Sequence, residues 1–267
     1  MVNFVATPIG NLKDITLRAL EVLRAADVIF CEDTRHSLKL LNAYDIKKPL
    51  YSCHKFNERA AAEKIISAAR EGKEVAVISD AGMPVISDPG NVVCRALKEE
   101  GIAYSVVPGA NAALSALVLS ALPSERFAFI GFLPDKAGEK RGLLKKYKDI
   151  DLTMCFHVAP QDIDRDICAM YEVFGDRNAC AVREITKLHE EAVPFRLSEG
   201  FKGEKRGEYV IVVAGAAETE NELNSLTEKD HILHYMAGGM SKKDAVKQAA
   251  KDRGISKSEI YPFSVDI

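Results

Sequence analysis

The sequence predicts an α/β protein with two α/β domains and a small helical appendage at the C-terminal end. Three observations predict it. Apolar strands alternate with amphipathic helices from residue 1 to about 125, and a second alternating stretch runs from 152 to 213. Near the end, Ser241–Asp244 and Ser256–Glu259 both have the spacing of a helix capping box. A chain of 267 residues exceeds one average domain, and 47% hydrophobic with 28% charged residues suits a chain that buries a core.

Val2 to Thr7 reads as the first strand. Thr16 caps a helix carrying Leu17, Leu20, Val22 and Leu23 on one side, and Asp27 to Cys31 resumes as a strand. Residues 34–43 and 58–70 read as helices, the second closed by Gly72. A buried strand follows over 75–78, a helix over 91–100 ending at Gly101, a strand over 103–107 and a small-residue helix over 110–121. The turn-rich run 131–138 marks the end of a first domain spanning 1–130. The second domain, 131–217, holds a strand at 152–156, a helix at 162–174, a strand at 178–185 and the alternating Tyr209–Val213. An acidic linker is expected over 218–230, and a helix-turn-helix-like unit over 231–267 with its turn at Gly254–Ile255.

Bulk properties exclude some functions. A net charge of −3 argues against a protein that coats nucleic acid through general electrostatics, DNA included. There is no apolar run of membrane-spanning length, and the opening Met1–Val5 reads as a strand rather than a secretion signal, so a cytoplasmic location is expected. The six cysteines form no C-x-x-C pair and read as reduced thiols. His231 and His234 have no third ligand nearby and His189-Glu190 does not complete H-E-x-x-H, so no metal is expected.

Three turns containing glycine and proline follow strands in the first half: 7–11, 79–84 and 107–111. Loops at the carboxyl ends of parallel strands diverge and leave a crevice, and glycine lets the backbone approach a ligand. Neither a G-x-x-x-x-G-K-[ST] loop nor a G-x-G-x-x-G turn is present, which argues against a nucleoside triphosphate or a dinucleotide.

The run VATPIGNLKDITLRALEVLRAADVIFCEDTR (Val5 to Arg35) resembles the ribosomal RNA small-subunit methyltransferase I family. So do ISDAGMPVISDPG (78–90), VVPGANAALSAL (106–117), GFLP (131–134), AVREITKLHEE (181–191) and the C-terminal GMSKKDAVKQAAKDRGISKSEIY. The resemblance covers nearly the whole chain. It implies the tetrapyrrole-methylase fold with a cofactor cleft between its two α/β domains, S-adenosylmethionine as cofactor, a homodimer, and 2′-O-methylation of a cytidine ribose in 16S ribosomal RNA. Carried over by position, the cofactor residues are Pro8, Ile9, Gly10 and Asn11, then Asp80, Ala81, Gly82, Met83 and Pro84, then Pro108, Gly109 and Ala110. The sequence departs from the pattern in three places. Phe156–Pro160 lacks the acid of the family's Tyr-Glu-Ser-Pro-type run, Met83 stands where threonine is usual, and Ala214 stands where an acid is common.

Methyl transfer from a sulfonium to a ribose hydroxyl needs oxygen, carbon and sulfur nearly in line, and a base to accept the hydroxyl proton. Polar residues follow apolar strands at 32–36 and 183–191, and both segments belong to the motifs above. Asp33, Arg35, Glu184 and Lys187 are therefore expected at the reaction centre or in RNA positioning. Local basic clusters are expected to hold RNA phosphates, through Lys140, Arg141 and Lys145 early in the second domain and Lys242, Lys243 and Lys247 in the appendage. Two other readings stay open on sequence: a small-molecule methylase acting on a tetrapyrrole, and a non-catalytic ribosome-assembly factor of the same fold.

Overall fold

The computed structural model describes residues 1–216, 222–265 and 267, and the chain falls into two compact units, Met1–Ala216 and Ala217–Ile267. In the first unit the order is β1 (Val2–Val5), α1 (Leu17–Ala25), β2 (Val28–Cys31), α2 (Thr34–Ala43), β3 (Leu50–Ser52), α3 (Glu58–Arg70), β4 (Val75–Ile78), α4 (Asn91–Glu99) and β5 (Tyr104–Val107). These five strands form a sheet in the order β3-β2-β4-β1-β5, every pair parallel. Such a sheet is covered on both faces, which is why its central strands are apolar runs. Phe4, Phe30 and Val77 pack on Ala61, Ile65, Val93 and Leu97 of α3 and α4. On the opposite face Val5, Ile29 and Ile78 meet Ala19, Leu23 and Leu41 of α1 and α2.

Helix α5 (Ala112–Ser120) then leads to β6 (Phe127–Phe132), α6 (Ala137–Lys145), β7 (Thr153–Val158), α7 (Ile163–Phe174), β8 (Asn178–Arg183), β9 (Glu191–Arg196) and β10 (Tyr209–Val213). This second sheet is mixed, in the order β6-β7-β10-β8-β9, with only the β6–β7 pair parallel. One face carries Met154, Phe156 and Ile211 against Leu144, Ile167 and Met170 of α6 and α7. The other carries Cys155, Cys180, Val182 and Val212 against Ala113, Ala116 and Leu117 of α5, and Ile9 joins that cluster. Helix α5 and the turn after β1 thus bind the two sheets into one unit.

One expectation changes here. The boundary placed at 130/131 falls inside β6, where Gly131 takes φ +75° at a register shift between Phe129 and Gly131. The glycine that reads as a chain break is a bulge within a strand. Strand β9, left unassigned from the sequence, is an edge strand with alternating exposure, and an edge tolerates Pro194.

The second unit contains α8 (Glu228–Ala237), α9 (Lys242–Asp252) and α10 (Lys257–Ile260), packed through Ile232, Val246, Ala249 and Ile260. Residues 218–221 of the expected linker lie outside the described residues. Its last three residues are the first turn of α8, capped by Thr227, where Glu228 and Asp230 suit the positive end of a helix dipole. Ser241 caps α9, and Ser256 forms a complete capping box with Glu259. The second of the two expected helices is a single α-turn, α10, continued by a 3-10 turn over Tyr261–Ser264. No helix among the described residues is long and apolar enough to cross a membrane.

Candidate active site

The turns after β1 and β4 are zipped together before they meet anything else. Thr7 N–H donates to Gly82 O at 2.9 Å and Gly82 N–H to Thr7 O at 3.1 Å, while Ser79 Oγ donates to Gly82 O at 3.0 Å. Gly82 sits at φ +81°, and a Cβ there would lie 3.2 Å from Ile9 Cγ2. Val85 and Ser87 also hold positive φ, +77° and +67°, and a β-branched residue in that region is a marked outlier. The strained turn carries the chain away from the sheet, and the space it leaves is the site.

That space is a cavity of about 400 Å³ between the two sheets. The first sheet's side supplies Ile9, residues 80–83, Ile86, Ser87, Asp88 and the start of α5 at 111–113. The second supplies Phe129 and Phe132 of β6, residues 157–160 at the end of β7, Ile185, and residues 207–210 entering β10. The volume is that of a small-molecule site, and the crevice lies beyond the carboxyl ends of parallel strands.

Charge divides the cavity. Asp80 and Asp88 line it and Glu32 stands behind them; burial, with the charges of Glu32 and Asp80, pushes the Asp88 carboxyl up to about 6. Burial and then Asp80 push Glu32 up as well. Three mutually repelling carboxyls make a wall that favours a cation. The remaining lining, Ile9, Met83, Ile86, Phe129, Phe132 and Val210, is apolar and suits a flat ring system.

Five of the twelve expected cofactor residues, Ile9, Asp80, Ala81, Gly82 and Met83, line this cavity. Pro8, Gly10, Asn11, Pro84, Pro108, Gly109 and Ala110 do not. Two of the expected glycines stand where neighbouring atoms leave no room for a side chain. A Cβ on Gly10 would sit 2.6 Å from Lys187 Cγ and 2.8 Å from Ile185 O, and one on Gly109 would sit 2.9 Å from Ala6 Cβ. Asn11 N–H donates to Thr186 Oγ1 at 3.0 Å, so the same turn is fastened to the second sheet's loop.

None of Asp33, Arg35, Glu184 and Lys187 lines the cavity. Asp33 caps α2 and pairs with Arg35, whose side chain is 89% exposed; that hydrogen bond holds the Asp33 carboxyl below its usual range. Asp33 N–H does reach Asp80 Oδ1 at 3.1 Å, so it steadies the acidic wall through its backbone. Lys187 Nζ bridges Glu184 and Glu208, each at 2.9 Å. Burial pulls the Lys187 ammonium down, but the bonds to Glu208 and Glu184 outweigh it and its pKa is raised. The Lys187 hydrogen bond lowers Glu184. An ammonium and a carboxylate so matched act as a strut beneath Glu208.

Lys140 is corrected outright. Its side chain is 2% exposed and ion-paired with Asp166, so it cannot reach a phosphate. Arg141 is engaged by Glu172 at 2.6 Å. Lys145, Lys242, Lys243 and Lys247 are exposed, and Lys242 Nζ also donates to Ile267 O at 3.0 Å. Sequence reasoning missed Asp88, Phe129, Phe132 and Glu208, and passed over His157 as a mere departure from a motif. The S-D-P-G run at 87–90, echoing S-D-A-G at 79–82, was the available signal for Asp88.

Comparison with known proteins agrees with this architecture. The model of the Tetrapyrrole (Corrin/Porphyrin) Methylases matches residues 1–199. Proteins named ribosomal RNA small subunit methyltransferase I are 41% identical in Halalkalibacterium halodurans, over 96% of this chain and 92% of the relative. In Bacillus subtilis the identity is 41% over 96% and 91%. The chain belongs to the ribosomal RNA small subunit methyltransferase I family of the tetrapyrrole methylases. Among solved structures, uroporphyrin-III C-methyltransferase from Thermus thermophilus complexed with S-adenyl homocysteine has a TM-score of 0.58 at 20% identity, over 80% of this chain and 96% of that one. Diphthine synthase has a TM-score of 0.62 at 16% identity, over 80% and 89%. The fold of this family member is therefore that of the tetrapyrrole methylases, with its cavity at the junction of the two sheets.

Proposed function

We propose that this family member transfers a methyl group from S-adenosylmethionine to a ribose 2′-hydroxyl of small-subunit ribosomal RNA, at a cytidine. The observation that carries the reading is the divided cavity, with acids on one wall and apolar side chains over the rest. A sulfonium donor is a cation joined to a flat purine, and Asp80, Asp88 and Glu32 complement the first as Ile9, Met83 and Ile86 complement the second. The residues present fit such a donor, which supplies an electrophilic methyl carbon when bound. Backbone groups of 80–83 and 111–113, which line the cavity, would hold its polar edges, and the Thr7–Gly82 bridge fixes the first of these segments. The names of the relatives support ribosomal RNA as the acceptor.

Lys145 on the first unit and Lys242, Lys243 and Lys247 on the second are the exposed cations proposed to meet phosphates. The enzyme acts in the cytoplasm as a homodimer; Leu114 and Val118, one turn apart on α5 and 49% and 78% exposed, offer an apolar surface for a second copy. The test is methyl transfer in solution. Purified protein with labelled donor is expected to label small ribosomal subunits from cells lacking the activity, in an alkali-resistant dinucleotide. Label on a nucleobase, or none on RNA, overturns the reading.

A further inference from the structure

Five titratable side chains line the cavity: Asp80, Asp88, His157, Glu208 and Tyr209. Four are committed. Asp80 accepts the Asp33 N–H at 3.1 Å, and Asp88 belongs to the acidic wall, its carboxyl pushed up to about 6 by burial and by the charges of Glu32 and Asp80. The Glu208 carboxylate is held by Lys187 Nζ at 2.9 Å, and the Tyr209 hydroxyl donates to Glu204 O. His157 differs. Among the described residues neither of its ring nitrogens has a hydrogen-bond partner, although the residue is half-buried in β7.

The ring is nevertheless held in place. It sits edge-on to Phe129, with centroids 5.2 Å apart, and to Phe132, at 5.3 Å. Both phenylalanines come from β6, and His157 pairs in register with Phe132 on one side and with Val210 of β10 on the other. The sheet face that is closed by α5 at Cys155 continues, two residues on, to His157, so the imidazole opens into the cavity where the helix no longer covers the sheet.

We propose that His157 is the general base of the reaction, its imidazole accepting the proton of the acceptor hydroxyl. The inference rests on the methyltransferase reading above. In the step, the hydroxyl oxygen forms its bond to the methyl carbon as the carbon–sulfur bond breaks and the sulfur keeps the bonding pair. The proton passes to the imidazole and then to solvent, so charge balances: a sulfonium is consumed and an imidazolium is discharged. A neutral imidazole is needed for this. Burial lowers the His157 pKa below its ordinary value, opposed only in part by the charge of Glu208. Phe129 and Phe132 bring no charge from β6, Glu208 faces the ring from the entry to β10, and Asp80 and Asp88 are the ionisable groups on the first sheet's side of the cavity.

The experiment combines two variants with two measurements that need none. His157→Asn and His157→Gln keep a polar side chain but cannot accept the proton in this range. Their kcat at saturating donor and RNA is expected to fall by about 10²-fold or more, with donor Kd within about threefold of the parent. The parent's kcat is expected to rise with pH to a plateau through an ionisation below 6.5. Nuclear magnetic resonance of the labelled imidazole, in protein free of donor, is expected to show His157 titrating in that same range. Variants within threefold of the parent kcat, with the acid limb intact, overturn the role of His157 alone. So does an imidazole that titrates above 6.5. A parent that transfers no methyl group to RNA overturns the methyltransferase reading itself, and this assignment falls with it.

Discussion

Lys140 and Asp166 form an ion pair inside the second sheet's helical layer, with side chains 2% and 6% exposed. The pair joins α6 to α7, and Arg165 Nε lies 3.7 Å from the same Asp166 oxygen. Removing Lys140 leaves the buried Asp166 carboxylate with only the half-exposed Arg165 at 3.7 Å, and breaking a buried pair costs about 3–5 kcal/mol. Lys140→Ala is therefore expected to lose most of that in chemical denaturation. The folded fraction is expected to bind RNA like the parent, since Lys140 does not reach the surface. Undiminished stability with weakened RNA binding would restore Lys140 as a phosphate contact.

Gly82 tests the turn. Its φ of +81° suits glycine, and a Cβ would press on Ile9 Cγ2 at 3.2 Å, with the cavity beyond. A left-handed non-glycine residue costs roughly 1–2 kcal/mol. Gly82→Val is expected to weaken donor binding at least tenfold in calorimetry while the protein still melts cooperatively. Unchanged affinity would show that this turn does not shape the donor site.

Asp88 sets a pH dependence with a definite sign. Its folded-state pKa of about 6 stands above the ordinary carboxyl value, so its contribution to stability is fully present in acid and is lost as pH rises through about 6. A bound cation reverses the preference, because it favours the ionised form. Donor affinity is expected to weaken as pH falls below 6, by up to about tenfold per pH unit. Asp88→Asn is expected to flatten that dependence, to bind donor less well at pH 8, and to be the more stable protein without donor at that pH. A parent affinity independent of pH between 5 and 8 would contradict the acidic wall as the cation site.

Arg253 organises the second unit. Its guanidinium donates to His231 Nδ1 at 3.2 Å and to Glu228 Oε1 at 3.1 Å, and it also reaches Leu226 O. Burial, then the Arg253 charge, lowers the pKa of His231. The lowered value means that stability is present above the ordinary histidine range and is lost as pH falls through the folded value. Arg253→Ala is expected to raise hydrogen exchange in α8 and α9 with little change over 1–216, and acidification below the ordinary histidine range is expected to do the same to the parent. Equal loss of protection in both units would contradict their independence.

Four strands of the first sheet were legible in the sequence as apolar runs, as at Val75–Ile78 after Gly72, whereas β3, a three-residue edge strand with Tyr51 and Ser52 exposed, carries no such run. The second sheet was only half legible. Gly131 carries a bulge rather than a break, and Pro194 is tolerated only because β9 is an edge, both consequences of pairing partners far away in the chain. Lys140 reads as one of several lysines on a solvated face, and only the placement of Asp166 on α7 turns it inward. Within the site, the turn at 80–83 was visible from its glycine and proline. His157 was not, since its significance depends on Phe129, Phe132 and the end of α5 surrounding it. The expected acids at 33 and 184 follow strands as catalytic residues often do, yet one caps a helix and the other braces Glu208.

The most direct test is a crystal structure grown with S-adenosylhomocysteine. The account predicts density in the cavity between the two sheets, its sulfur within reach of the wall formed by Asp80 and Asp88 and its base against Ile9, Met83 or Ile86. Density at another surface, with residues 80–83 and 157–160 closed on each other, would contradict it.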